Sequence, residues 1–163
     1  FKHPSPWDFA FFMNDALKQD LGWFWYYWLW TTESVDGSIQ SVTTAGSQTT
    51  VIVQQAGQMP SPVVLEVKFG ATGAPITPMV NARMKDATTA IVTWPVDVWF
   101  SGSRTFRAVL DFGRRPIERI TLDPSCRFPD RNPADNVWPK GAGGFGTPKP
   151  TGEGGAKPGT CGR

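Results

Sequence analysis

Residues 23–30 read WFWYYWLW, a run in which seven of eight side chains are aromatic. Each ring buries roughly 150–250 Å² when it packs, so a folded chain does not leave such a run in water. We predict a helix that begins at Asp20, which can cap it, and ends near Trp30. Because rings point in every direction, this helix must be covered nearly all round. The run is therefore a structural joint, a binding surface or one side of an interface.

Another helix is predicted directly upstream of the aromatic run. Ser5 can cap its start, Pro6 fits the first turn, and Asp8 is favoured at the positive end of the helix dipole. Lys18 ends this helix. Apolar side chains at helical spacing form one stripe along it: Phe9, Phe12, Met13, Ala16 and Leu17. The two helices together predict an N-terminal α-helical hairpin.

After residue 31 the pattern of apolar and polar residues changes from a period of about 3.6 to a period of 2. Short strands are predicted over residues 38–43, 49–55, 63–69, 79–84, 88–94, 105–111 and 118–122. Such strands, separated by turns rich in Gly and Pro, are typical of an antiparallel β-sandwich of immunoglobulin-like type. The predicted fold is mainly β, with the helical hairpin at its N-terminus.

Three segments follow from these patterns. Residues 1–31 hold the two helices, and residues 32–138 hold the β-sandwich. Residues 139–163 are mainly Gly, Pro, Thr and Lys, and they cannot bury enough apolar surface to offset the entropy of ordering. We therefore predict a disordered Gly/Pro-rich tail.

Composition excludes several classes of function. The net charge is only +2, so the chain has no electrostatic footprint for nucleic acid. The aromatic run is shorter than the ~20 apolar residues of a transmembrane span. His3 is the only histidine, and an H-E-x-x-H zinc site needs two. We predict no catalytic, cofactor-binding or metal-ligating residue in this chain. Cys126 and Cys161 are either a disulfide or two unrelated thiols.

Three groups of residues have both a functional and a structural interpretation. Arg114 and Arg115 could clamp a carboxylate or phosphate, but solvated charges in a turn are favoured. Trp94 and Trp99 could stack on sugars, but packing in the core is favoured. The third group resembles a cation-binding loop without its required glycine and glutamate, and Asx turns are favoured there: Asp123, Asp130, Asn132, Asp135 and Asn136.

The segment FKHPSPWDFAFFMNDALKQDLGWFWYYWLWTTESVD resembles the end of the catalytic domain in bacterial aminopeptidase N–like zinc metallopeptidases of the gluzincin class. The segments PVVLEVKF and ITLDPSCRFPDRNPADNVWP resemble the C-terminal β-region of the same family. The likeness runs in order over roughly residues 1–138. The chain departs from the family pattern at Ala10 and at Tyr26-Tyr27. The residues that match the family's first segments are Lys2, His3, Pro4, Pro6, Asp8, Phe9, Asp20, Leu21, Trp23, Phe24, Trp25, Trp28 and Asp36.

The resemblance implies that the chain is the C-terminal portion of such a peptidase. The zinc ligands and general base of that family lie upstream of the matching region, so zinc and the peptide substrate belong to the parent protein. This portion would be inactive alone and would pack against the upstream catalytic domain, with the aromatic run as a buried hinge. Without that domain it should self-associate. The parent is expected to be exported to the periplasm, the cell surface or the medium, by a signal outside this chain.

Two other functions remain open from the sequence. The first is an autonomous sandwich module that binds glycans or partner proteins through Trp94 and Trp99. The second is a remnant whose catalytic half is inactive or missing in the parent as well.

Overall fold

The structure is a computed structural model, and it describes residues 3–140. The chain divides into two compact units, Phe1–Glu33 and Ser34–Arg163, close to the boundary predicted after residue 31. The predicted disordered tail lies outside the described residues, except for Pro139 and Lys140. The alternatives for Cys126 and Cys161 also fall partly outside the described residues, because Cys161 lies beyond residue 140.

The first helix, α1 (Pro6–Leu17), begins where the sequence predicts. The Ser5 hydroxyl accepts a hydrogen bond from the Asp8 amide (3.2 Å), and the Asp8 carboxylate accepts one from the Ser5 amide (2.8 Å). This reciprocal pair is a capping box, which satisfies amide groups that have no partner inside the helix. Lys18, in the left-handed conformation (φ 52°), closes the helix.

The second helix, α2 (Gly22–Trp30), contains the aromatic run. Asp20 accepts a hydrogen bond from the amide of Gly22 (2.9 Å), although Leu21 occupies the position directly before the helix. The two helices are antiparallel, because Trp7 at the start of α1 stacks on Trp30 at the end of α2, with ring centroids 5.2 Å apart. The predicted helical hairpin is therefore confirmed.

Within the described residues the second unit contains eight strands. They are β1 (Gly37–Ala45), β2 (Gln48–Gln55), β3 (Val63–Phe69), β4 (Ala82–Asp86), β5 (Thr89–Trp94), β6 (Thr105–Leu110), β7 (Ile117–Leu122) and β8 (Val137–Trp138). One sheet has the order β1-β2-β6 and the other β4-β5-β3-β7-β8, and all neighbouring strands are antiparallel. The β2–β6 and β3–β7 pairs correspond to the B–E and C–F pairs of an immunoglobulin-like sandwich.

The predicted strands are present, with one corrected start and one additional strand. The fourth strand begins at Ala82 and not at residue 79, because the Ala82 amide donates to the Met79 carbonyl (3.1 Å) and forms a turn there. The two-residue strand β8 was not predicted, since the Pro- and Asn-rich segment around it shows no alternation.

One hydrophobic core lies between the two sheets. Alternate residues of β3 face it, and Leu65 and Val67 are fully buried while Glu66 between them is half-buried. Aromatic rings connect the sheets, with Trp94 of β5 and Phe106 of β6 in an edge-to-face contact at 5.5 Å. The sandwich therefore buries the apolar faces of its own strands within its own unit.

Candidate functional site: the exposed aromatic face of the helical unit

The apolar side chains of the helical unit are largely exposed. No residue of α2 is buried, and Ala10 is the buried residue of α1. Phe12 is 69% exposed and Leu29 is 58% exposed. We call the following set the aromatic face: Trp7, Phe9, Phe11, Phe12, Tyr26, Trp28, Leu29 and Trp30. The expectation that α2 is covered nearly all round is not met by the described part of the chain.

Contacts between the helices hold this face in a defined arrangement. The indole N–H of Trp25 donates to the Asn14 side-chain oxygen (2.9 Å), which gives the half-buried ring of α2 a polar anchor on α1. Phe9 meets the same indole edge-to-face, at 5.6 Å between ring centroids. Such paired rings are worth about 0.5–1.5 kcal/mol beyond the area they bury. The aromatic face is thus presented by a hairpin with its own internal contacts.

A concave site of about 370 Å³ lies within this unit. Its walls are aromatic, and Asn14 and Asp20 supply polar groups at its margin. Its volume is in the range of sites that take a small ligand or an inserted side chain, about 300–1,000 Å³. The aromatic walls are formed by Trp7, Phe11, Trp25, Tyr26 and Trp30.

Trp94 and Trp99, in the second unit, belong to its core. Trp99 is only 8% exposed, and its indole N–H donates to the Ser61 carbonyl (2.8 Å). Trp94 is half-buried, and both rings contact Phe106. The favoured core interpretation is confirmed, and little of the Trp99 ring is accessible to a glycan.

The Asp- and Asn-rich segment forms turns. The Asp130 carboxylate accepts hydrogen bonds from the amides of Asn132 (2.8 Å) and Gly37 (3.0 Å) and from the side chain of Asn136 (3.1 Å). Asp123 accepts one from the Phe128 amide (3.0 Å). These contacts confirm the Asx-turn interpretation. In residues 3–140 no group of three or more His, Cys, Asp and Glu side chains is arranged to hold a metal.

The guanidinium of Arg115 is hydrogen-bonded to the backbone of the same unit. Its guanidinium donates to four backbone carbonyls of the loop after β3: Gly70 (2.7 Å), Ala71 (2.6 Å), Gly73 (3.1 Å) and Ala74 (3.2 Å). The prediction of solvated charges is therefore wrong for Arg115 and holds for Arg114, which is exposed. The second arginine is a structural clamp.

No known protein family and no curated protein matches the sequence. The chitin-binding domain of a chitinase from Pyrococcus furiosus is similar in structure over 56% of this chain and 93% of its own length. The sequence identity is 21% and the TM-score is 0.34, a likeness too low to carry an argument. None of the helices in residues 3–140 has the length and apolar character that crossing a bilayer requires.

Sequence reasoning identified the aromatic run but missed part of the face on α1. Phe11 lies off the predicted stripe and is 68% exposed, while Phe12 and Leu17 on the stripe are exposed as well. The polar residue Asn14 inside an otherwise apolar segment was the available signal, because it marks the side on which Trp25 packs.

Proposed function

We propose that this chain is the non-catalytic C-terminal portion of an aminopeptidase N–like zinc metallopeptidase, and that its helical unit packs against the catalytic domain of the same protein. One structural observation supports the docking role: no residue of α2 is buried, and four of its large apolar side chains are exposed. Monomeric proteins seldom expose apolar patches beyond a few hundred Å², and larger ones mark interaction sites.

The composition of the aromatic face supports a protein partner. Protein interfaces are enriched in Trp, Tyr and Phe, and their binding energy concentrates in aromatic anchors that fill pockets. The face carries such anchors, and the concave site beside Trp25 and Tyr26 can receive a side chain from the other surface. The sandwich, by contrast, has a core of its own and would serve as the support for the hairpin.

The chemistry of the proposed parent lies outside this chain. In such an enzyme bound zinc activates a water molecule for attack on the peptide bond. The described residues supply no ligand set for it. This chain would instead hold the catalytic domain in place and shape access to its cleft, in a parent that is exported from the cytoplasm.

The first test is the coding sequence on the 5′ side of Phe1. An H-E-x-x-H segment followed by a downstream glutamate supports the proposal, and a coding sequence without that pair contradicts it. The domain encoded there is then produced together with this chain and purified through a tag on one of them. We expect the two to co-purify.

Variants of the aromatic face test where the domains meet. Phe12→Ser combined with Leu29→Ser removes two exposed apolar side chains and should abolish co-purification. Phe100→Ser, which removes a ring that is 57% exposed in the second unit, is the matched control and should bind normally. Equal binding by all three chains would exclude the aromatic face as the contact. Zinc-dependent aminopeptidase activity in the 163-residue chain alone would contradict the non-catalytic role.

A further inference from the structure

A groove of about 870 Å³ lies on the outer face of the five-stranded sheet, within the second unit. The edge strand β4 forms one side, and the loop from Asp123 to Phe128 forms another. Its floor includes Val64 of β3 and Ile91 of β5, both half-buried on the face of the sheet that points away from the core. The groove therefore combines an apolar floor with polar walls, as ligand sites do.

Two arginines on the walls have no partner in the described chain. Arg83 on β4 and Arg127 on the loop are both exposed, and neither forms a hydrogen bond or an ion pair with residues 3–140. Lys85 differs, since its ammonium pairs with Glu66 (2.8 Å). A free guanidinium is a planar fork of N–H donors that fits a carboxylate in a bidentate manner.

One wall residue, Asp123, is an acid with a fixed side chain. Oδ2 of Asp123 accepts a hydrogen bond from the Phe128 amide, whereas Oδ1 is buried and has no partner in the described structure. Because Oδ1 is closed to solvent, the carboxylate contributes a fixed negative charge to the wall and not an acceptor for a ligand. The side chain is held in place by its backbone, because the Asp123 amide donates to the Val64 carbonyl (2.9 Å).

We propose that this groove binds an acidic, extended peptide segment. Carboxylates of the segment pair with Arg83 and Arg127, and an apolar side chain packs on the floor at Ile91. A ligand that carries anionic and apolar groups in one chain matches both features.

The charge pattern favours a peptide over a uniformly charged polymer. Glu66 and Asp123 line the same groove as the arginines, so a polyanion such as a polyuronate would meet repulsion between the two cationic sites. β4 itself is not proposed as the pairing edge for an added strand. Its charged side chains and the irregular register at Met84 and Asp86 are features that block edge pairing.

The test is a calorimetric titration of the full chain with two blocked hexapeptides at low salt. One is Glu-Val-Glu-Leu-Glu-Val, and the other replaces each glutamate by glutamine. Two exposed charge pairs predict a preference for the acidic peptide of about tenfold. Higher salt should reduce this preference. Equal affinity for the two peptides would overturn the proposal.

Matched double variants locate the site. Arg83→Gln with Arg127→Gln should reduce the preference to about twofold or less, since both charge pairs are lost. Arg107→Gln with Arg114→Gln removes the same charge from positions outside the groove and should keep the preference. Equal losses in the two pairs would show a general charge effect and contradict the proposal.

A third arm separates ligand classes. Polygalacturonate should compete with the acidic peptide more weakly than unlabelled peptide does, and stronger competition would refute a peptide ligand.

Urea denaturation of each variant establishes that it is folded. The groove lies wholly in the second unit, so a negative result here leaves the docking of the helical unit untouched.

Discussion

Large apolar side chains are buried in the sandwich and exposed in the helical unit. Leu65 and Val67 of the sandwich are completely buried, while Phe12 and Leu29 of the helical unit are more than half exposed. A strand pattern of period 2 identifies a buried face, and the sheet that covers this face lies in the same chain. An aromatic run without a polar face indicates that its rings need to be buried, but it does not indicate which surface buries them. The helical unit is therefore the part of the molecule whose large apolar side chains are left uncovered by the described chain.

The largest change in the free energy of unfolding is expected when a leucine of the sandwich is replaced by alanine, and a leucine of the helical unit provides the comparison. Leu65→Ala leaves a cavity in the sandwich core and should reduce the free energy of unfolding by about 2–5 kcal/mol. Leu29→Ala removes an exposed side chain and should change it by no more than about 0.5 kcal/mol. Urea denaturation followed by circular dichroism measures both. Similar losses would mean that the two leucines are equally packed and would remove the contrast between the units.

Adjacent arginines provide the next comparison. Arg115→Gln breaks the clamp on the loop after β3 and should reduce the stability of the sandwich by about 2 kcal/mol, because hydrogen bonds to a charged group are lost. Arg114→Gln should change stability by no more than about 0.5 kcal/mol. Amide exchange of residues 71–74 should rise only in the first variant. Unchanged exchange there would show that the loop does not need the clamp.

A smaller effect is expected at the capping box of α1. Ser5→Ala removes the acceptor for the Asp8 amide and should reduce helix stability by about 1 kcal/mol. The hydrogen bond from the Ser5 side chain, and then that from its backbone amide, lowers the pKa of Asp8 below its usual 3.8. The stabilisation from the hydrogen bonds to the Asp8 carboxylate is therefore present above pH 3.8 and is lost as pH falls through the lowered pKa. Far-ultraviolet circular dichroism against pH measures it.

Asp15→Asn is the control for the capping variant. It breaks the exposed ion pair with Lys18 (2.7 Å) at the other end of the same helix. Exposed pairs are worth little, so helicity at neutral pH should change less than in Ser5→Ala. A larger change in Asp15→Asn would show that the helix depends on charge near its end and not on its cap.

The fold was predictable where local chemistry and tertiary packing agree. Ser5, Pro6 and Asp8 define a helix start within four consecutive residues, and the alternation in β3 matches its burial residue by residue. The partners of Arg115 were not predictable, because its carbonyl acceptors lie more than forty residues earlier in the chain. The groove was not predictable for the same reason. Arg83 and Arg127 are far apart in the sequence, and they line one groove only because the folded sheet brings β4 near the loop after β7.

The smallest change in stability is expected for the carboxylate of Asp135, in the turn region that joins β7 to β8. Burial, and then the neighbouring carboxylates of Asp130 and Asp36, raise the pKa of Asp135 above its usual 3.8. The folded state therefore binds a proton more readily than the unfolded chain, and stability falls as pH rises from 3.8 through the raised pKa. At pH 7 the ionised carboxylate slightly lowers the stability of the folded state, and its Oδ1 atom is buried without a partner in the described chain.

Asp135→Asn should accordingly raise the urea midpoint at pH 7, and this gain should shrink as the pH is lowered towards 3.8. The amide can still accept from the Asn132 side chain, which donates to Asp135 in the native protein (2.8 Å). Glu118→Gln, an exposed carboxylate on β7, controls for the change in net charge. A lower midpoint for Asp135→Asn at pH 7 would mean that the hydrogen bond from Asn132 outweighs the penalty of burial. The sandwich would then keep a poorly solvated charge because the charge fixes the turn before β8.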